Sequence, residues 1–85
     1  MHKASFFESL GYTESAWHRL SDDLRLIGTQ SEARLGRHNG YGQMYAVDGS
    51  LVGPNGRSAS VRTIWIVRDT EDRPRLVTAY PGDDE

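Results

Sequence analysis

The stretch SASVRTIWIVR at residues 58–68 decides how this chain is read. It is rich in β-branched and aromatic residues, which favour a pleated strand. Drawn as a strand, it sets Val61, Trp65 and Val67 on one face, and Ile64 and Ile66 beside Arg62 and Arg68 on the other. Both faces thus carry apolar side chains. Clusters of turn residues flank it, GPNGR (53–57) before and DTEDR (69–73) after. Ahead of the first turn, QMYAVDGSLV (43–52) alternates imperfectly, with Tyr45, Val47 and Leu51 on one side and Gly49 suggesting a bulge. Beyond the second turn, PRLVTAY (74–80) reads as a further strand, stopped by Pro81. A strand at about 32–37, before the HNGYG turn (38–42), completes a four-stranded antiparallel meander.

Upstream the period changes to that of helices. Phe6, Phe7 and Leu10 share one face, and Gly11 is a natural stop. Thr13 or Ser15 then caps a second helix, in which Trp17, Leu20, Leu24 and Ile27 draw an apolar stripe that Gly28 closes. Two helices so closely joined are expected to pack as a hairpin on one face of the sheet. The expected fold class is α+β: an N-terminal helical hairpin packed on a four-stranded antiparallel meander.

Eighty-five residues suffice for one modest core, read as a single domain over 1–82 with an acidic disordered tail at 83–85. Without cysteine the chain has neither a disulfide framework nor a thiolate metal site. No apolar run approaches the roughly 20 residues of a membrane span, and a cytoplasmic protein is expected. The net charge of −2 argues against indiscriminate nucleic-acid binding, yet five arginines (57, 62, 68, 73 and 75) fall in the last third.

The histidines His2, His18 and His38 lack ligand spacing, so no metal is expected, and no glycine-rich phosphate loop precedes a helix, so no cofactor is either. No serine sits on a strand-to-helix elbow. Among catalytic options, metal-free RNA cleavage demands least of a small protein, because the ribose 2′-OH is the nucleophile and the protein supplies only a base, an acid and positive charge. The unperturbed pKa of histidine lies near neutrality, which makes His2 the candidate acid or base, while Lys3 and an arginine are candidates to hold the phosphate. Thr78 and Tyr80 fall on one strand face as hydroxyl donors. Each has a plainer reading: His2 as a terminal residue, Thr78 and Tyr80 as the finish of a sheet edge. His18 and His38 read as solvated helix and turn residues, and Trp65 as core. The face bearing Arg62, Arg68, Ile64 and Ile66 is a candidate contact surface for a partner protein or a second copy; arginine stems lying over the isoleucines are the alternative.

The segments HKASFFESLGY, YGQMYAVDGSLVGPNGR, VRTIWIV and PRLVTAYP together resemble an uncharacterised family of small bacterial domains with a KA.FF start, a GPNGR-like turn, a tryptophan in the next strand and a terminal PRLVTAYP. More distantly, the helix-then-sheet order closing on TAYP is similar to the barnase, EndoU, colicin and RelE group of toxin-type ribonucleases. That resemblance implies His2 and Lys3 at the helical position, Thr78 and Tyr80 at the late-strand position, phosphate contact by Arg62 or Arg75, an RNA substrate and a small antitoxin-like partner. A non-catalytic interaction module using the arginine-rimmed sheet face stands as the alternative.

Overall fold

The computed structural model describes residues 3–82; His2 and the acidic tail at 83–85 lie outside the described residues. Helix α1 (Lys3–Ser9) leads through a 3-10 turn (Glu14–Ala16) into helix α2 (Trp17–Gln30). Strands β1 (Ala33–His38), β2 (Gly42–Val52), β3 (Ser58–Arg68) and β4 (Pro74–Pro81) follow, in a single antiparallel sheet of order β1-β2-β3-β4. The expected α+β class and the meander both hold.

The stripe on α2 explains the packing. Leu20, Leu24 and Ile27 are buried against Val47, Leu51, Val61, Trp65 and Ala79, which the strand alternation places on one face of the sheet. At its centre Trp65, 8% exposed, donates its indole N–H to Thr63 Oγ1 (2.8 Å), and the fully buried Thr63 hydroxyl donates in turn to the Val47 carbonyl (2.8 Å). Both polar groups are thereby satisfied inside the core, where an unpaired donor would be costly.

The helices do not form the expected hairpin. With seven residues, α1 is too short to present a packing ridge of its own. Its C-terminal end is held instead by the β2–β3 turn, where Asn55 donates its backbone N–H to the Leu10 carbonyl (3.3 Å) and its side-chain amide to the Ser9 carbonyl (3.0 Å). Elsewhere α1 contacts β4, whereas α2 lies on β2 and β3. Gly11 makes the bend between them at φ 96°, a conformation that suits glycine. Tyr12 follows, fully buried, and its hydroxyl reaches Asp23 Oδ2 on α2 (2.5 Å).

Three other expectations are corrected. Gly28 does not close α2, which runs on to Gln30. Its small size is needed for the close approach to Trp65, since a Cβ there would stand 2.4 Å from the indole ring. Gly49 marks no bulge, because the β2–β3 register runs unbroken from Gly42 to Val52; it makes room for Ile27 instead. Trp17, expected in the apolar stripe, is 41% exposed at the start of α2.

The irregularities lie in β1, between Leu35 and His38, and in β4. Ile64 pairs with Thr78 but its neighbour Trp65 pairs with Leu76, so Val77 is an extra residue in β4. As a result Leu76 and Ala79, three residues apart, both lie on the helix-covered face.

Gly28→Ala is expected to lower the unfolding free energy by about 1–3 kcal/mol, by overpacking against Trp65, and to shift the Trp65 fluorescence. Burial, then the hydrogen bond to the Asp23 carboxylate, raises the Tyr12 pKa well above its ordinary value. The folded state therefore favours neutral Tyr12, and that stabilisation is complete below pH about 10 and is lost as the pH climbs beyond it. Tyr12→Phe is expected to cost about 2 kcal/mol at neutral pH and to flatten the alkaline limb of stability, measured by urea denaturation from pH 7 to 11.

Candidate functional site

Among the described residues, no helix lies on the opposite face of the sheet. The register assigns to it Met44, Ala46 and Asp48 from β2, Arg62, Ile64 and Ile66 from β3, and Arg75, Thr78 and Tyr80 from β4. Tyr80 pairs directly with Arg62 and Thr78 with Ile64, so three of the candidate residues share one small area. Arg75 pairs with Ile66 on the same face, about 13 Å from Arg62 along β3 at 3.3 Å per residue. Lys3 opens α1, the helix that contacts β4. His2 is outside the described residues. Ile66 is buried and Ile64 half-buried, so the isoleucines on which a dimer expectation rested do not form an open apolar patch.

Asp48 organises this face. Arg62 Nε donates to its Oδ1 (2.6 Å) and Arg62 Nη2 to its Oδ2 (3.0 Å), and from β1 Arg34 pairs with the same carboxylate. Hydrogen bonds from Arg62, aided by the charges of Arg62 and Arg34, hold the Asp48 carboxyl below its usual range. Arg62 is correspondingly more basic, chiefly through Asp48, with a smaller contribution from Tyr80 beside it.

A second cluster repeats the arrangement at the β3–β4 turn. Arg75 Nε and Nη2 donate to Glu71 Oε1 (2.9 Å) and Oε2 (2.6 Å), with Arg68 Nε 4.0 Å from Oε1. The Arg75 hydrogen bonds lower the Glu71 pKa. In each cluster two guanidiniums share one carboxylate, leaving one positive charge in excess. The face is therefore basic although the chain as a whole is acidic.

Sequence reasoning missed Asp48, Arg34 and Glu71. An acidic residue inside the apolar run of β2 was the available signal for Asp48, since a charge in a strand needs a cross-strand partner. Also missed was the contact of His38 Nε2 with Asp69 Oδ1 (2.9 Å), which joins the β1–β2 and β3–β4 turns. Gly40 N–H donates to His38 Nδ1 (3.3 Å), so both ring nitrogens are engaged and this histidine is poorly placed to act as a base. Among the described residues, no three His, Asp or Glu side chains gather as a metal site, and no helix is long and apolar enough to cross a membrane.

Fold and face together define a small α+β domain with a basic, hydroxyl-bearing sheet surface. The chain belongs to the domain-of-unknown-function family DUF6883, which it matches over residues 1–83. No curated protein matches it. Among solved structures it is similar to a chain of the contact-dependent growth inhibition toxin–immunity protein complex from Klebsiella pneumoniae 342, with 16% identity and a TM-score of 0.76 over 93% of this chain and 74% of that one. At that identity the likeness is one of fold.

Asp48→Asn is expected to release both arginines. Because the Asp48 pKa is depressed in the folded state, its ion pairs stabilise above the unfolded value near 3.9 and are lost as the pH falls through the folded one. At neutral pH the variant should lose less than about 1 kcal/mol, as half-exposed pairs do. It should also elute from immobilised heparin at higher salt than the parent chain.

Proposed function

We propose that this chain is a toxin-type domain that cleaves RNA without a metal ion. The observation that carries the reading is the grouping of Arg62, Thr78 and Tyr80 on a basic sheet face left open by the helices. The likeness of fold to a toxin–immunity protein complex supports it.

In the proposed reaction the ribose 2′-oxygen attacks the adjacent phosphorus. The new 2′-O–P bond forms as the P–O5′ bond breaks, giving a 2′,3′-cyclic phosphate and a free 5′-hydroxyl. One group removes the 2′-OH proton and another protonates the departing 5′-oxygen. His2 is the proposed acid or base. Arg62, with Lys3, neutralises the charge growing on the phosphate oxygens, and Thr78 and Tyr80 hydrogen-bond them. Arg75, too far along the sheet for the same phosphate, contacts a neighbouring one. Side chains suffice for these steps, since the nucleophile belongs to the substrate. The domain acts in the cytoplasm, where its substrate is, and a small neutralising protein is its partner.

One observation favours the second reading, a non-catalytic interaction module. Arg62 and Arg75 are each engaged in a two-pronged ion pair, as in a surface that meets a protein partner.

Incubation with mixed single-stranded and transfer RNA in EDTA separates the two. Cleavage by the parent chain is expected, yielding cyclic phosphate ends. The Thr78→Ala, Tyr80→Phe double variant should be slower by about 100-fold, as for loss of donors to a developing oxyanion. Intact RNA with the parent chain would leave the interaction module as the function.

A further inference from the structure

On the helix-free face the register draws two neighbouring rows across the strands. Arg34, Ala46, Ile64 and Thr78 pair in sequence in one, and Asp48, Arg62 and Tyr80 in the next. Arg34 crosses between them: its Nη2 donates to Asp48 Oδ2, the oxygen that also accepts from Arg62 Nη2. Guanidiniums from β1 and β3 are thus gathered on one carboxylate oxygen of β2. Like charges so close repel, and the Asp48 carboxylate is what holds them together. The helix-covered side is built differently. There Leu35, Tyr45, Trp65 and Leu76 pair in sequence as an apolar row, which floors a cleft of about 910 Å³ that α2 roofs only in part.

Both arginines keep donors to spare. Of the five N–H groups on a guanidinium, Arg62 commits two to Asp48 and Arg34 one. Among the described residues neither has an ion pair with a second carboxylate. Arg34 is exposed and Arg62 half-buried, so the uncommitted donors are open to solvent. Two guanidiniums and one carboxylate leave a single positive charge, which matches the single negative charge of a phosphodiester. The hydroxyls of Tyr80, paired with Arg62, and Thr78, in the row of Arg34, flank the same spot.

We infer that Arg34 is a second phosphate-contacting residue beside Arg62, and that Asp48 is the positioning residue that aims both guanidiniums at one phosphodiester. The phosphodiester as substrate rests on the ribonuclease reading above; the anion site itself does not. Asp48 acts through the two arginines. Without it the face would attract polyanions more strongly and hold the scissile phosphate less accurately.

The test has two readouts. In the first, cleavage of a fluorophore- and quencher-labelled single-stranded RNA is followed in EDTA. Arg34→Ala is expected to lower kcat/KM about 100-fold, and Arg34→Lys, which keeps the charge without the fork, to recover part of that loss. Asp48→Asn should bind the RNA more tightly yet lower kcat about tenfold, a split that a loss of folding does not produce. Asp22→Asn, the same charge change at an exposed residue of α2, should leave kcat unchanged. In the second readout, inorganic phosphate is titrated into the nitrogen-15-labelled chain. The Nε–H signals of Arg34 and Arg62 should shift together with one dissociation constant, and that of Arg57 in the β2–β3 turn should not. Faster cleavage by Asp48→Asn would make the carboxylate a competitor of the substrate. That result, an Arg34→Ala variant as active as the parent chain, or phosphate shifts confined to Arg62 would each overturn the proposal. Joint phosphate shifts without RNA cleavage by the parent chain would overturn only the ribonuclease reading, and the absence of both would overturn the two together.

Discussion

The contact between Gly28 and the indole of Trp65 governs how the domain is layered. A helix can lie this close to a sheet only where it offers no Cβ to the ring beneath it. Thr63 fixes that ring from below, and is itself tied to the neighbouring strand through the Val47 carbonyl. The height and position of α2 follow from these contacts, and with α2 so placed there is, among the described residues, no second long helix to cover the other face. The open basic surface and the partly roofed cleft are two results of one packing decision.

Elements governed by local chemistry were legible in the chain; those governed by meetings between distant residues were not. The strand at 58–68 announces itself through its β-branched residues, and alternation alone put Arg62 opposite Trp65. Thr78 and Tyr80 were legible as a shared-face pair for the same reason. Gly28 misled because a glycine near the end of an apolar stripe has the same appearance whether it ends a helix or admits a tryptophan. Gly49 misled likewise. Asp48 went unnoticed because its partners sit on β1 and β3, and the register that brings them together depends on the lengths of two turns. The hairpin failed because the stop signal at Gly11 was read correctly but the destination of the chain beyond it, with Tyr12 driven into the core, was not.

The two arginine clusters show a further economy of design. Guanidiniums held by a single carboxylate are fixed in direction, which a surface for anions requires, yet each cluster keeps an uncompensated positive charge. A lone arginine would have more charge to offer and less orientation. The apolar row on the other side of the same sheet offers area rather than orientation. One sheet thus presents two surfaces of unlike chemistry, separated by the thickness of a strand.

The extra residue in β4 has a consequence for how this last strand is written. Strict alternation would set Leu76 beside Thr78 and Tyr80, forcing either an apolar side chain out with the hydroxyls or the hydroxyls into the core. Val77 breaks the phase, so the half before it is counted from the β3–β4 turn and the half after it from the C-terminal end. Each half keeps its own parity. The segment that floors the cleft and the segment that bears the hydroxyls can therefore be varied as independent words, joined at a position where the count is free to slip.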